Sequence, residues 1–338
     1  MKVSVWRNND DIRVEEVPTP KPGPKEMLVK VHSCGICGSD VVEWYRLPRA
    51  PLVQGHEIGA EVVEVGESMA TYQPGDRVFI APKVPCLSCR YCQDGHYPVC
   101  PNVKERLPGG FAEYILVPQI LIEKGTYPLP KTITYDQSTF IEPLACVIRA
   151  QNLAGLKAGQ TILIMGCGMS GLLHVKLAKI KGSTIVAVDV NRTRMSLAKK
   201  YGADLTIDAS ENISARLTAE LGRRADVIMM CTSAPAAIEQ AWPGLDKGGA
   251  IVFFAVPGPD KRVAVPLNDF WTKETRILTS YYCGPPDIQD AMKLMEAGTI
   301  EVDDMITHRL PLDDVARGFR LVLEGKESLK IIIKPHGL

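Results

Sequence analysis

A cluster of four cysteines is the strongest chemical signal in this chain of 338 residues. The cluster has the spacing Cys86-x-x-Cys89-x-x-Cys92-x7-Cys100. Four thiolates this close together can form a tetrahedral zinc site, and a closed shell of sulfur leaves no position for water or substrate. Two disulfides or an iron–sulfur cluster are the alternatives, but reducing conditions disfavour disulfides and no electron path is evident. We therefore predict a structural zinc that holds a loop.

A second, looser set of metal-binding side chains precedes this cluster. Cys37 lies in the segment Cys34-Gly-Ile-Cys37-Gly-Ser39-Asp40, and the pair His56-Glu57 follows Gly55. A thiolate, an imidazole and a carboxylate are a mixed ligand set of the kind that an open, catalytic zinc uses. Taken alone, the combination could equally arise by chance, so its meaning depends on the motifs around it.

The segment Gly166-Cys-Gly168-Met-Ser-Gly171 fits the pattern of a dinucleotide-binding loop, G-x-G-x-x-G. The pattern is weak alone, but here it follows an expected strand and opens an expected helix, which is the context that it requires. Gly166 permits the tight turn, Gly168 lets the backbone approach the pyrophosphate, and Gly171 allows close helix–strand packing. The helix N-terminus offers N–H groups to the phosphates. The alternative is a tight turn in an α/β protein that binds no nucleotide.

Asp189 ends the next expected strand, about twenty residues further on, where a carboxylate binds the adenosine ribose hydroxyls. A 2′-phosphate beside that carboxylate would be repelled, which favours NAD over NADP. Arg192 and Arg194 are cations that could offset part of this repulsion, and Arg194 is also a candidate cofactor contact.

The elements around these motifs divide the chain into two parts. Up to about residue 145, short apolar or alternating runs such as Met27–Val31 and Gly59–Val65 are separated by Pro- and Gly-rich breakers, as in a β-rich domain. From about Gly159, strands alternate with helices, which predicts βαβ units and a parallel sheet. The elements expected there are the strands Thr161–Met165, Thr184–Val188, Asp226–Met230 and Ala250–Phe254 and the helix Thr193–Tyr201. Beyond them we expect the helices Asp287–Ala297 and Leu312–Glu324 and the strand Lys330–Lys334.

The overall composition excludes several classes of protein. With 46% hydrophobic and 23% charged residues, the chain is globular, and its length favours two domains. A formal net charge of zero gives no reason to expect a nucleic-acid partner. Neither a membrane-spanning run of about 18 apolar residues nor the apolar core of a signal peptide is visible. We therefore expect a cytoplasmic protein without a membrane partner.

The order of these motifs resembles that of the zinc-containing medium-chain alcohol dehydrogenases over nearly the whole chain. The motifs that carry the resemblance are Gly-Ile-Cys37-Gly-Ser39-Asp40, Gly55-His56-Glu57, Pro74-Gly-Asp-Arg-Val78, the Cys86–Cys100 lobe, Gly109-Gly-Phe-Ala-Glu-Tyr114, Glu142-Pro143-Leu144 and Gly166–Gly171. The motifs around Cys37-Gly-Ser39 and Glu142-Pro143-Leu144 are most similar to those of the sorbitol, threonine and glucose dehydrogenase branch. In that branch a glutamate takes the place of a second catalytic cysteine.

The resemblance implies an α/β fold with a doubly wound parallel Rossmann sheet and a β-rich, GroES-like catalytic domain that carries a zinc-stapled lobe. The catalytic domain is expected at residues 1–145, with the lobe at 86–100. The dinucleotide-binding domain is expected at 146–280, and residues 281–338 are expected to return to the catalytic domain. Two zinc ions and NAD are the implied cofactors, and relatives form homodimers or homotetramers.

Carried over residue by residue, the resemblance implies that Cys37, His56 and one or both of Glu57 and Glu142 bind the catalytic zinc, whereas Cys34 is packed. One thiolate and one carboxylate neutralise Zn²⁺, and a second carboxylate makes the site net negative and a poor Lewis acid. We therefore expect one carboxylate to leave the metal when substrate enters.

Ser39, two residues after Cys37, is expected to accept the proton of the substrate hydroxyl, unless it only stabilises its own turn. Many relatives have a histidine a few residues later, but this chain has Val42 in the matching stretch. The proton is therefore expected to leave through the cofactor ribose and water. Four residues are candidates for the wall of the substrate pocket or for packing: Trp44, Tyr45, Arg46 and Phe111.

These features predict oxidation of a secondary alcohol, such as a polyol, sugar alcohol or cyclitol, to a ketone. Tyrosines at 281 and 282 stand where a sugar-binding arginine is expected, which weakens an assignment to sorbitol itself. The alternatives are an L-threonine 3-dehydrogenase-like enzyme and a dinucleotide-binding protein without activity. The intact set Cys37, Ser39, His56 and Glu142 argues against the latter.

Overall fold

The computed structural model of this chain describes residues 1–337, which divide into two units with separate hydrophobic cores. The first unit comprises Met1–Pro143 and the residues from Cys283 onward, and the second comprises Leu144–Tyr282. Within residues 1–337, every helix is too short or too polar to cross a lipid bilayer.

The first unit is built mainly from antiparallel strands, whose alternating side chains give one buried face. Its elements before residue 140 are β1 (Lys2–Asn8), β2 (Asp11–Glu16), β3 (Met27–Gly35), α1 (Glu43–Arg46), β4 (Leu52–Val53), β5 (Glu57–Val65), β6 (Arg77–Ile80), β7 (Lys83–Val84), α2 (Arg90–Gln93), β8 (Glu105–Arg106), β9 (Tyr114–Val117), α3 (Gln119–Gly125), β10 (Thr126–Pro128) and α4 (Tyr135–Ser138). The order β2-β1-β4 forms a small sheet, and β7 pairs with β8 beside the four-cysteine segment.

The second unit is a parallel sheet with helices between its strands. The elements from residue 141 are α5 (Ile141–Ala154), β11 (Thr161–Met165), α6 (Met169–Ile180), β12 (Thr184–Asp189), α7 (Arg192–Lys200), β13 (Leu205–Asp208), α8 (Ile213–Leu221), β14 (Ala225–Met230), α9 (Pro235–Ala241), β15 (Leu245–Phe253), α10 (Leu267–Thr272) and β16 (Arg276–Thr279). The strand order β13-β12-β11-β14-β15-β16 is that of a doubly wound dinucleotide-binding sheet, with the order reversing between β11 and β14. The prediction of a Rossmann sheet is confirmed.

The remaining elements return to the first unit. They are α11 (Pro285–Glu296), β17 (Ile306–Pro311), α12 (Val315–Glu324) and β18 (Lys330–Lys334). The large sheet has the order β10-β6-β5-β3-β18-β17, with β9 also paired to β3. In the antiparallel register of β18 and β3, Ile333 lies opposite Cys34, so the last strand passes beside the segment that leads to Cys37.

Several element boundaries differ from the sequence predictions. The last helix begins only at Val315, because Leu312–Asp314 form a tighter 3-10 turn. Strand β15 begins earlier than expected, at Leu245, and its pairing with β14 shifts register before Val227. Gly248 has a φ of +69°, which a glycine adopts without strain and which a regular strand pattern does not reveal.

Candidate metal and dinucleotide sites

The four-cysteine segment brings its sulfur atoms to metal-binding distance of one another. Cys89 Sγ lies 3.5 Å from Cys92 Sγ and 3.9 Å from Cys100 Sγ, and Cys86 Sγ lies 3.9 Å from Cys92 Sγ. Zinc–sulfur bonds of about 2.3 Å in a tetrahedron place sulfur atoms about 3.8 Å apart, so these residues fit a zinc ion. All ten cysteines are free thiols, in agreement with ligands rather than disulfides.

Backbone donors favour the thiolate form of Cys86 in this cluster, whereas burial raises the pKa of the Cys92 thiol to about 12. The Cys86 N–H donates to Cys100 Sγ at 3.3 Å, and the Cys89 N–H donates to Cys86 Sγ at 3.3 Å. The N–H groups of Ser88 and Cys89 lower the pKa of the Cys86 thiol to about 5. Because thiolates are the species that bind zinc, these donors favour metal binding.

The mixed ligand set also comes together, at one end of β5. Cys37 precedes a 3-10 turn at Gly38–Val41, whereas His56 and Glu57 stand at the start of β5. Their ligand atoms all lie within 4.8 Å of one another. Gly55 makes this approach possible, because its φ is +93° and a Cβ would lie only 2.7 Å from Cys34 Sγ. One thiolate, one imidazole and one carboxylate are a donor set that fits zinc.

Asp40 contacts the imidazole of His56 at Nδ1 and orients the ring. Its buried carboxylate lies 3.3 Å from His56 Nδ1, accepts the Cys37 N–H at 3.0 Å and accepts Arg46 Nη2 at 2.8 Å. Burial opposes ionisation of Asp40, but its contacts with His56, Arg46 and the Cys37 N–H outweigh burial and hold the pKa of the carboxyl below its usual range. A carboxylate on Nδ1 leaves Nε2 for the metal, an arrangement typical of histidine–zinc sites.

Glu57 has a charged partner that the sequence did not indicate. Its Oε2 is paired with the ammonium of Lys330, and both side chains are fully buried. Its Oε1 is buried without a hydrogen-bond partner among the described residues, so this oxygen is the one suited to a metal. Lys330 opens a strand with three isoleucines at its centre and has no motif around it, and the pairing of β18 with β3 brings it to the site.

Ser39 makes two contacts through its hydroxyl group. The hydroxyl donates to Cys37 Sγ at 3.3 Å and accepts Arg46 Nη2 at 2.8 Å. The group is thus at the metal-binding end of the first unit.

The other candidates of the first unit have different environments. Glu142 is buried near the start of α5, and it is not part of the group of ligand atoms around Cys37 within the described chain. Cys34 is fully buried in the core, as expected. Phe111 is 1% exposed and packs edge-on against Phe319, so of its two expected roles the structure favours packing. Trp44, in contrast, is 45% exposed.

The glycine-rich loop has the geometry that its sequence predicts. Gly166 has a φ of +97° directly after β11, and a Cβ on Gly171 would collide with the Gly166 carbonyl oxygen. Gly168 precedes α6, which begins without a side-chain cap, and a Cβ there would meet nothing closer than Arg194 Nη1 at 4.0 Å. The helix N-terminus is therefore open to a phosphate, so the loop fits a dinucleotide.

Asp189 ends β12 and folds its carboxylate toward this loop. It accepts the N–H of Cys167 at 2.6 Å and that of Asn191 at 2.8 Å. A carboxylate has about four acceptor positions, so two of them remain for ribose hydroxyls. Arg194, on α7, lies on the side of the loop where its charge can reach a phosphate.

Comparison with known proteins finds relatives over nearly the whole chain. Residues 23–131 match the family described as "Alcohol dehydrogenase GroES-like domain", and residues 171–297 match "Zinc-binding dehydrogenase". The chain is 32% identical to sorbitol dehydrogenase of Gallus gallus, over 96% of this chain and 93% of that protein. It is also 32% identical to (R,R)-butanediol dehydrogenase of Bacillus subtilis, over 99% of this chain and all of that protein (100%).

A similar solved structure is that of a zinc-binding dehydrogenase from Sinorhizobium meliloti, which was determined with NADP bound. It superposes with a TM-score of 0.87 at 30% identity and covers 99% of both chains.

Proposed function

This chain belongs to the zinc-containing medium-chain alcohol dehydrogenases, and we propose that it oxidises a secondary hydroxyl of a polyol-like substrate to a ketone with NAD as the hydride acceptor. The observation that carries the proposal is the convergence of Cys37, His56 and Glu57 on one point with the Ser39 hydroxyl beside it. The relatives named for sorbitol and butanediol both act, by their names, on molecules with secondary hydroxyls.

The chain's own residues hold two zinc ions in this proposal. Cys86, Cys89, Cys92 and Cys100 hold the structural ion, and Cys37, His56 and Glu57 hold the catalytic ion, with Glu142 as a second carboxylate near the end of the first unit. A zinc ion in an open site lowers the pKa of a hydroxyl that binds it, as it does for water, and NAD supplies the redox chemistry. Lys330 contributes one positive charge beside Glu57, so a second carboxylate would leave the site neutral rather than net negative.

Ser39 has the position to take up the substrate's proton. Its hydroxyl lies beside Cys37 Sγ, and a hydroxyl group can accept one proton while it donates another. Val42 offers no titratable group in the stretch that follows. The proton therefore leaves Ser39 for a ribose hydroxyl of the cofactor or for water.

The preference for NAD rests on Asp189. Two backbone N–H groups fix its carboxylate at the edge of the phosphate loop, where its negative charge would repel a 2′-phosphate. The similar Sinorhizobium meliloti protein was solved with NADP, so the cofactor ratio needs a direct measurement.

Two broader features complete the proposal. Free thiolates as metal ligands suit the reducing cytoplasm, which is where we place the enzyme.

We also propose a homodimer or homotetramer, because β16 is an edge strand of the parallel sheet with mostly exposed side chains. Analytical sedimentation of the purified protein measures its oligomeric state.

The experiment that tests the function is a substrate panel. The zinc-loaded enzyme is incubated with NAD or NADP and with sorbitol, 2,3-butanediol, a cyclitol, L-threonine or ethanol, and reduced cofactor is followed by absorbance. The proposal expects NAD reduction with a vicinal diol or polyol and slower reaction with ethanol. NAD reduction with L-threonine as the only active substrate contradicts the proposal. A panel in which none of the alcohols reduces the cofactor contradicts it as well.

A further inference from the structure

Three hydrogen bonds hold the side chain of Arg46 against the metal-binding end of the first unit. Its side chain is only 11% exposed. Nη2 donates to Ser39 Oγ at 2.8 Å and to Asp40 Oδ1 at 2.8 Å, and Nε donates to the Ser39 carbonyl oxygen at 3.0 Å. One guanidinium therefore fixes the backbone and the hydroxyl of Ser39 together with the carboxylate that holds His56.

A neighbouring arginine shows that these contacts are specific to Arg46. Arg49 lies three residues further on, and both guanidinium groups lie over the ring of Tyr45, at 5.0 and 5.1 Å from its centre. Arg49 is exposed, however, and within residues 1–337 it makes one hydrogen bond, a long one of 3.4 Å to the Tyr45 carbonyl oxygen. The two residues share charge and a ring contact, but only Arg46 reaches Ser39 and Asp40.

The contact with Ser39 limits what this hydroxyl can do. A serine hydroxyl has one O–H donor and two acceptor positions, and Arg46 occupies one of the two acceptors. A guanidinium stays protonated in proteins, so Arg46 cannot itself take a proton from Ser39. One acceptor position therefore remains, and the one proton points at Cys37 Sγ in the structure. The hydrogen bond from Arg46 fixes the direction of both.

We propose that Arg46 is a positioning residue for alcohol oxidation, which aims the free acceptor position of Ser39 at the substrate hydroxyl. The inference rests on the proposed role of Ser39. As the substrate O–H bond breaks, its proton goes to Ser39 Oγ, and the proton that Ser39 carried leaves to a ribose hydroxyl or to water. Arg46 takes no part in this exchange of protons, but it holds the oxygen at which both protons meet.

The first test compares Arg46→Gln and Arg46→Lys with the matched control Arg49→Gln in the zinc-loaded enzyme, with 2,3-butanediol and sorbitol as substrates. Lysine keeps a cation beside Asp40 but cannot reproduce the fork of the guanidinium. We expect both Arg46 variants to lose about 10²-fold in kcat, the cost of misplacing a reacting group by about 1 Å, with KM for NAD and zinc content unchanged. In a third variant, Arg46→Ala, added guanidinium should restore part of the turnover, and it should leave the turnover of Arg49→Gln unchanged. Wild-type kcat in Arg46→Lys overturns the inference.

A double-mutant cycle with Ser39→Ala separates this inference from the proposed function. If Arg46 acts through Ser39, then Arg46→Gln should cost less than about threefold in the Ser39→Ala enzyme. Full turnover of Ser39→Ala alone would refute the role of Ser39, and with it the inference. A slow Ser39→Ala enzyme that loses a further 10²-fold with Arg46→Gln would refute the inference only.

A structural readout does not depend on turnover. Crystals of the zinc-loaded wild type should show Ser39 Oγ within hydrogen-bond distance of Arg46 Nη2, and crystals of Arg46→Lys should show a changed Ser39 rotamer. A Ser39 hydroxyl that keeps its position in Arg46→Lys would overturn the inference.

Discussion

Lys330 and Glu57 form an ion pair whose two side chains are fully buried in the first unit. The two residues are 273 positions apart in the chain, and the pairing of β18 with β3 brings them together. The pair couples the closing strand of the large sheet to a carboxylate at the metal-binding end of that unit.

The first prediction concerns this pair. Lys330→Met removes the ammonium and leaves Glu57 as a buried charge without its partner, which costs about 3–5 kcal/mol of the free energy of unfolding. Urea unfolding of the zinc-loaded protein measures the loss. Equal stability of Lys330→Met and the wild type would show that the pair carries no such energy.

The second prediction tests the structural zinc. Cys89→Ser should lose one of the two zinc ions and lower the melting temperature, because a closed sulfur site contributes folding energy and no chemistry. The zinc bound by Cys37 and some turnover per folded molecule should remain. Gln93→Ser, at an exposed position of α2, is the matched control and should keep both ions. A Cys89→Ser protein with two zinc ions and normal melting is incompatible with the assignment.

The third prediction concerns cofactor selectivity. Asp189→Ser should weaken NAD use and improve NADP use, because it removes the charge that faces a 2′-phosphate while Arg192 and Arg194 remain. Asp208 lies opposite Asp189 in the parallel register of β12 and β13, so Asp208→Ser is a control at the end of the neighbouring strand. The ratio of kcat/KM for the two cofactors is the measurement. An unchanged ratio in Asp189→Ser would place selectivity elsewhere.

The fourth prediction concerns the proton path. Ser39→Ala should reduce turnover by about 10²–10⁴, the usual range for the loss of a positioned proton carrier. Zinc content and NAD affinity should hardly change, since the side chain is neither a ligand nor a phosphate contact. Ser68→Ala, at an exposed turn, serves as the control. Near-normal turnover of Ser39→Ala from low to high pH would mean that Ser39 only stabilises its turn.

The local motifs were readable from the sequence because each depends on neighbouring residues. The loop Gly166–Gly171, the cysteines Cys86–Cys100 and the strands around β11 need only their own spacing and hydrophobic pattern to be recognised. A parallel sheet followed from the same alternation of strands and helices, and the strand pairing confirms it; the order of the strands came only from the structure.

Long-range partners were not readable in this way. Lys330 looked like the polar start of an apolar strand, and Phe111 looked like a candidate for the pocket wall because only packing against Phe319 shows its burial. Arg46 was named as a candidate for the wall, but its hydrogen bonds to Ser39 and Asp40 depend on the side-chain directions at the end of α1. Strand β16 was missed because most of its residues are exposed and give no apolar run.

The most direct test of the account is the zinc content and turnover of Cys37→Ser, measured on the same preparation and beside Cys89→Ser. The account predicts about two zinc ions per chain in the wild type and about one in each variant, with four sulfur ligands around the ion left in Cys37→Ser. In Cys37→Ser, the four-cysteine lobe should be as stable to heat as it is in the wild type. The variant should form no NADH from 2,3-butanediol or sorbitol. Two zinc ions in Cys37→Ser, or turnover equal to that of the wild type, would contradict a catalytic zinc held by Cys37, His56 and Glu57.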